Sequence, residues 1–191
     1  MDTAKKRFNP IRVCIWGNVI VTVIVAFWLG IYPAWVTVYS LRDPGMKSDS
    51  IPRYAFTMHR KLSPKIARWA TARVQSERPA TLTGDNISGT EWPVFGSVFY
   101  LWATEALQDD WEQHPEGEAP KVYAHDAIEA SVALVLDQKH AAWVIKMWGE
   151  DYLTEQNAFY RACRIAALTA QVRLLGDTSN LVLLREEVER L

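Results

Sequence analysis

The chain has 191 residues, and its 21 Lys and Arg nearly balance its 22 Asp and Glu. Beyond the basic first twelve residues the net charge is about −4, which excludes the broad basic surface of a nucleic-acid-binding protein and predicts no nucleic-acid partner. Only two cysteines are present, far apart in sequence, which excludes a disulfide framework, and the 9 Trp, 7 Tyr and 6 Phe favour a packed core over a disordered chain.

An uncharged stretch over residues 13–41 follows a basic tail over residues 1–12. It exceeds the roughly 20 residues that a helix needs to cross a bilayer, and residues 19–29 are apolar on every side. We predict a single transmembrane anchor over 13–41, whose crossing part ends near Pro33 because proline lacks the amide that a straight helix requires. A cleaved export signal is the alternative, although its apolar part is normally shorter.

Basic residues flank the anchor unequally. Four precede it and three follow it closely: Lys5, Lys6, Arg7 and Arg12 before, and Arg42, Lys47 and Arg53 after. The side richer in Lys and Arg normally stays in the cytoplasm. We therefore predict a lipid bilayer as a partner, a cytoplasmic N-terminus, and a domain that lies outside the cytoplasm.

Turn-forming residues over 42–51 predict a linker, so the helical domain is expected over 52–191. Ser63 and Pro64 fit an N-cap followed by proline at the first helical position, which predicts a helix from Pro64 to about Ser76. This helix is basic. Either a solvated face or contact with anionic lipid headgroups would explain that composition.

The remaining pattern is helical, with no stretch that alternates as a strand. An aromatic helix over 91–113 carries too many apolar residues for one stripe, so we expect it to be buried on more than one side. The other predicted helices cover 122–137 with a continuation to Gly149, Thr154 to Gly176, and 180–191. The fold class is therefore all-α, with antiparallel helical hairpins. The last helix is amphipathic, so we expect another protein chain against it, or an incomplete domain.

The sequence contains no nucleotide-binding or hydrolase motif and no paired metal-ligand spacing. His125 and Glu129 lie one helical turn apart, which by itself is a weak metal signal. We therefore predict no metal and no cofactor.

Two segments place polar side chains among bulky apolar ones. Glu91 lies at a predicted helix start, where a carboxylate either caps the helix or acts as an acid or base in a cavity, and Tyr100 follows on the same helix. Asn157, Tyr160 and Cys163 are spaced to fall near one helical face. Either core packing with satisfied polar groups or the lining of a cavity would explain them.

These segments, over 89–100 and 148–163, and the turn over 174–178 resemble linalool dehydratase/isomerase-type proteins across about residues 90–191. In that family a Trp-Gly-acid turn leads to an Asn and a Tyr, and the helix ends in a Leu-x-Gly-polar turn. The corresponding residues here are Trp148, Gly149, Glu150, Asn157, Tyr160 and Gly176. The resemblance implies an (α/α)6 toroid of helical hairpins, of which this chain supplies the N-terminal part.

The resemblance also implies site residues. Glu91 falls at the position of the family's catalytic acid and Cys163 at the position of its histidine, and both depart from the family, which has Asp and His there. A thiol moves protons at neutral pH only if its pKa is lowered. Tyr100, Asn157 and Tyr160 are the implied substrate-binding residues, and the implied substrates are small, apolar, terpenoid-like compounds.

Two classes of function follow from these observations. The first is a membrane-anchored toroid that is a hydro-lyase or isomerase, or a binder of such compounds. The alternative is a non-enzymatic membrane accessory or scaffold subunit that uses its aromatic helical surfaces as interfaces.

Overall fold

The computed structural model describes residues 10–76, 88–149, 151 and 157–191. These residues form helices and connecting turns, with no strand among them, which confirms the all-α class. Contacts divide the chain into two compact units, Met1–Asp49 and Ser50–Leu191.

The first unit is one long apolar helical segment. Helix α1 covers Pro10–Ala26, a π-helical turn covers Phe27–Ile31, and helix α2 covers Tyr32–Leu41. The 28 residues from Cys14 to Leu41 are long and apolar enough to cross a membrane. A signal sequence near the N-terminus can also be helical and apolar enough to meet this criterion, so length and composition alone do not show that the helix crosses a membrane.

Helical structure continues past Pro33, although the sequence predicts that the crossing part ends there. Proline has no amide for the carbonyl four residues back, and its ring collides with that carbonyl in a regular helix. The preceding π-helical turn relieves the conflict, because the amide of Tyr32 donates to the carbonyl of Phe27, five residues back. The irregularity therefore lies before the proline, and the helix ends only at Leu41.

The second unit begins with helix α3, Arg53–Gln75, which passes through Pro64 without a break. The predicted start at Pro64 is therefore wrong, and Ser63 is not an N-cap. The Ser63 hydroxyl instead donates to the carbonyl of His59 at 2.8 Å, one helical turn back. Extensive packing of α3 on α6 (His125–Leu136) holds the helix through the proline.

Helix α4, Ser88–Gln113, also contains an internal proline. Pro93 provides no amide for the carbonyl of Gly89, and the Arg73 guanidinium of α3 donates to that carbonyl at 2.7 Å instead. Val94, Val98 and Leu101 are almost completely buried, as the apolar pattern predicts. Helix α4 packs against both α6 and α8 (Ala158–Ala170), which confirms burial on more than one side, while one face stays open.

Helix α6 lies at the centre of the second unit and packs against α3, α4 and α8. It is preceded by the short α5, Pro120–Tyr123, and followed by α7, Ala142–Trp148, and α8, Ala158–Ala170. Its buried side chains are small or branched: Ala127, Ile128, Ala130, Ser131, Val132, Leu134 and Val135. A central helix with such side chains allows close approach on three sides.

Two glycines end helical segments where the sequence predicts a stop. Gly149 follows α7 with φ of 86°, and Gly176 follows the π-helical turn Gln171–Leu175 with φ of 69°, a region that glycine enters without strain. The predicted cap at Thr154 lies outside the described residues. Asn157 caps α8 instead, since its side-chain oxygen accepts from the amide of Tyr160 at 3.1 Å.

Helix α9, Leu181–Glu189, is fixed to α8 by charge. The carboxylate of Glu187 accepts from Arg164 at 2.8 Å and from Arg161 at 3.1 Å, and all three side chains are buried. The other side of α9 exposes Val182 and Val188. The amphipathic pattern thus correctly locates the helix, but a buried ion pair rather than an apolar stripe fixes it to the domain.

Candidate functional site

One of the two predicted catalytic residues, Cys163, is unsuited to proton transfer in this structure. Burial raises the pKa of the Cys163 thiol to about 11, so the thiol is protonated at neutral pH and cannot replace an imidazole as a proton shuttle. Glu91 lies half-buried in the first turn of α4.

The predicted substrate-binding residues have structural partners. The Asn157 side chain caps α8, and the buried Tyr160 ring packs edge-on against Trp143 at 5.9 Å. Tyr100 belongs to another part of the core, where its hydroxyl donates to Ser63 at 2.7 Å. Asn157 and Tyr160 are therefore neighbours, whereas Tyr100 faces α3.

A group of aromatic rings joins α4, α7 and α8. Phe95 lies at its centre, with ring centroids 6.0 Å from Trp92, 5.7 Å from Trp143 and 5.2 Å from Phe159, all near edge-to-face. Trp148 extends the group from Trp143 at 6.0 Å. Edge-to-face pairs at these distances add stability beyond area burial. Within this aromatic cluster Trp92 and Phe159 are more than half exposed.

Helix α4 presents an exposed surface without charge. Every exposed position from residue 92 to residue 106 is apolar or glycine, and together they are called the α4 face: Trp92, Gly96, Phe99, Trp102, Ala103 and Ala106. The rings of Trp92, Phe99 and Trp102 are 62%, 58% and 50% exposed. Single exposed apolar residues are ordinary, but a run of them along four turns of one helix is typical of an interaction surface.

Two buried donors, one of them in the aromatic cluster itself, have no hydrogen-bond acceptor among the described residues. They are the indole nitrogen Nε1 of Trp143 and the amide nitrogen Nδ2 of Asn157, in side chains that are almost completely buried. A buried donor without an acceptor costs free energy, so such groups are normally satisfied in the functional state of a protein.

A buried polar network lies between α3, α4 and α5. The His59 ring stacks on Tyr100 with 4.8 Å between centroids, its Nε2 lies 2.9 Å from the Thr104 hydroxyl, and its Nδ1 lies 3.1 Å from the Tyr123 hydroxyl. Thr104 donates to the Tyr100 carbonyl at 2.8 Å. If His59 donates from Nε2 to Thr104 and accepts at Nδ1 from Tyr123, every hydroxyl proton of this network is donated in a hydrogen bond.

The network borders a shallow groove of about 350 Å³ between α3, α5 and α6, lined among others by Ser63, Arg68, Tyr123 and Asp126. Burial lowers the pKa of His59 to about 4 and raises the pKa of Tyr123 to about 12. Both groups are therefore uncharged at neutral pH, and this suits a structural network better than proton transfer.

Sequence reasoning missed this network. His59 and Ser63 share a face of α3 one turn apart, which is a visible signal, but their partners on α4 and α5 are 37 to 64 residues away in sequence. The spacing along one helix cannot identify such partners.

His125, Asp126 and Glu129 form the only group of possible metal ligands found among the described residues. Their ligand atoms lie within 4.8 Å of one another, and all three side chains are exposed. Exposed acidic groups of this kind are common on helices. The group therefore carries no argument for a metal centre.

No protein-family model, no curated protein and no solved structure matches this chain.

Proposed function

We propose that this chain is a membrane-anchored accessory or scaffold subunit whose α4 face binds a helix of a partner. The observation that carries the proposal is the uncharged exposed run from Trp92 to Ala106. It extends about 21 Å at 1.5 Å per residue, which matches the length of an ordinary helix–helix contact. Contact between an apolar surface of this kind and water is unfavourable, and a helix that covers the surface would remove that contact.

The form of the α4 face supports a helical partner in particular. Gly96 separates the ring of Trp92 from those of Phe99 and Trp102, and the small residues Ala103 and Ala106 follow them. Ridges of one helix pack into the grooves of another, and a row of rings with gaps between them offers both. A small-molecule site would instead be concave.

Replacement of Phe99 by aspartate tests the binding role. The side chain is exposed in the free chain, so the charge should cost the fold little, whereas an apolar helix interface would bury an unpaired carboxylate at a cost of several kcal/mol. In cross-linked membranes we expect the wild-type chain to appear in species larger than 21.8 kDa, and Phe99→Asp to lower their yield at least about tenfold.

Thr169→Asp provides the matched control, since Thr169 is an exposed position on α8, outside the α4 face. This variant should cross-link like the wild type. Equal yields for Phe99→Asp and Thr169→Asp would contradict a docking role for the α4 face.

The localisation belongs to the same proposal. The segment Cys14–Leu41 crosses a bilayer once, with the N-terminus in the cytoplasm and the domain outside it. The support for this orientation is the excess of Lys and Arg before the segment over those shortly after it.

A second candidate is the hydro-lyase or isomerase-type toroid, or a binder of small terpenoid-like compounds. The aromatic cluster favours it, because Trp143 and Asn157 offer donors without an acceptor close to exposed rings. Terpenoid alcohols should then raise the melting temperature of the full chain through binding to the folded state. Glu91→Gln and Cys163→Ala should each reduce that shift if these residues line the site. If these alcohols do not shift the melting temperature of the wild type, the second candidate fails and only the accessory role remains.

A further inference from the structure

We infer that the partner of the α4 face is a second copy of this chain, with the two α4 helices packed antiparallel about a twofold axis at Phe99. The inference rests on the proposed function and names its partner. It follows from the order of large and small residues along α4. A twofold axis requires one surface to complement itself, so this order can be tested against each possible register.

An antiparallel pair centred on Phe99 places a large residue opposite a small one at each flanking position. Trp92 lies seven residues before the centre and Ala106 seven after it, so the two face each other. Gly96 and Trp102, each three residues from the centre, face each other in the same way.

Half-buried Phe95, at the edge of the α4 face, also pairs with a small residue. Phe95 lies four residues before Phe99 and Ala103 four after it, so they also form a large–small pair. The Phe99 rings of the two copies meet on the axis and can stack. Each bulky ring other than Phe99 thus meets a small residue of the other copy.

A parallel pair in register has the opposite property. Each residue then faces its own counterpart, so Trp92 meets Trp92 and Trp102 meets Trp102, whereas Gly96 leaves a void against Gly96. Collisions and voids both weaken a helix interface, because well-packed interfaces approach the density of protein interiors. The antiparallel arrangement is therefore the favoured one.

Charge supports the same direction. Antiparallel α4 helices oppose their macrodipoles, and the acidic end of each helix approaches the amide end of the other. Asp109 and Asp110 lie as far after Phe99 as Gly89 and Ser88 lie before it, but Asp109 already pairs with Arg173 and Asp110 already accepts from the amide of Ile51. The opposed macrodipoles themselves are therefore what favours this direction.

The proposed interface is small, so the pair depends on both copies being anchored in the same membrane. Trp92, Phe99 and Trp102, with neighbouring Phe159, are about half exposed, so they offer roughly 100 Å² each and some 400 Å² per copy. This is about half of what a standard stable interface buries on each side. A pair in dilute solution should therefore dissociate, whereas two anchored copies share one membrane at high effective concentration.

Cysteine cross-linking of the full-length chain in membranes tests the register. The parent carries Cys14→Ser, and Cys163 is buried with its pKa raised to about 11, so background oxidation is low. Phe99→Cys should give a disulfide-linked dimer on mild oxidation with copper phenanthroline. Trp92→Cys and Ala106→Cys, expressed together in separate copies, should give the mixed dimer.

Trp92→Cys expressed alone should give at least about tenfold less dimer. In the antiparallel pair its two copies lie about 21 Å apart along the helix, far beyond the 4.4 to 6.8 Å between Cα atoms that a disulfide spans. A strong Trp92→Cys dimer without the mixed one would establish a parallel pair and overturn the inference.

A permeant maleimide on the unoxidised membranes separates this inference from the proposed function. The reference is Thr169→Cys, an exposed position outside the α4 face. If Phe99→Cys labels as fast as Thr169→Cys, the α4 face is open and both proposals fail. If Phe99→Cys is protected but forms no dimer, a different partner covers the face, and only the inference of a second copy fails.

Discussion

Glu187→Ala is expected to lower the free energy of unfolding of the helical domain by about 3 kcal/mol and to detach α9. The Glu187 carboxylate is bound to Arg161 and Arg164, and the three side chains are between 5% and 8% exposed. Removal of the carboxylate leaves two buried guanidinium groups without their common counter-ion, which costs more than the pair itself contributes. Urea unfolding followed by circular dichroism measures the loss, and limited proteolysis after residue 180 should report the released helix.

Glu189→Ala provides the matched control, because Glu189 is an exposed acid on the same helix. Its effect should stay within about 0.5 kcal/mol. If Glu187→Ala and Glu189→Ala have equal effects, the buried ion pair does not fix α9.

Acidification should destabilise the domain through His59. Burial lowers the pKa of His59 to about 4, below the ordinary value of about 6.5 in the unfolded chain. Between these values the unfolded state binds the proton and the folded state does not, so the free energy of unfolding falls as the pH falls from about 6.5 to about 4. The expected contribution is on the order of 3 kcal/mol.

His59→Gln isolates this contribution, since glutamine can donate to Thr104 and accept from Tyr123 but does not titrate. Urea unfolding of both proteins at pH 7 and pH 4.5 should show a smaller decrease for the variant. Burial also lowers the pKa of His140, so part of the decrease should remain. Equal decreases in both proteins would contradict a neutral, buried His59.

Local pattern alone predicted the class and most helices of this fold, and its errors have tertiary causes. Pro64 is the predicted start of a helix, yet α3 begins at Arg53 and continues through it, and α4 begins at Ser88, three residues before the predicted Glu91, with Pro93 inside it. In α4 the carbonyl that Pro93 leaves without an amide is satisfied by Arg73 from another helix. A local rule cannot include a donor that only the fold brings close.

The candidate site shows the same limit. The apolar density of α4 was visible in the sequence, but which of its faces stays open depends on the helices that pack against it, among them α6 and α8; Val94 is buried and Phe99 exposed. The spacing of Tyr160 and Cys163 correctly placed both on one buried face of α8. It could not show that burial would raise the pKa of the thiol.

Two single-cysteine variants test most directly the claim that the N-terminal helix holds this chain across a membrane. In a Cys14→Ser parent, Ser48→Cys lies after the helix and Thr3→Cys before it. An impermeant maleimide added to intact cells should label Ser48→Cys and leave Thr3→Cys unlabelled until the membrane is opened. Labelling of both, or of neither, in intact cells would show that the helix does not cross, and labelling of Thr3→Cys alone would reverse the orientation.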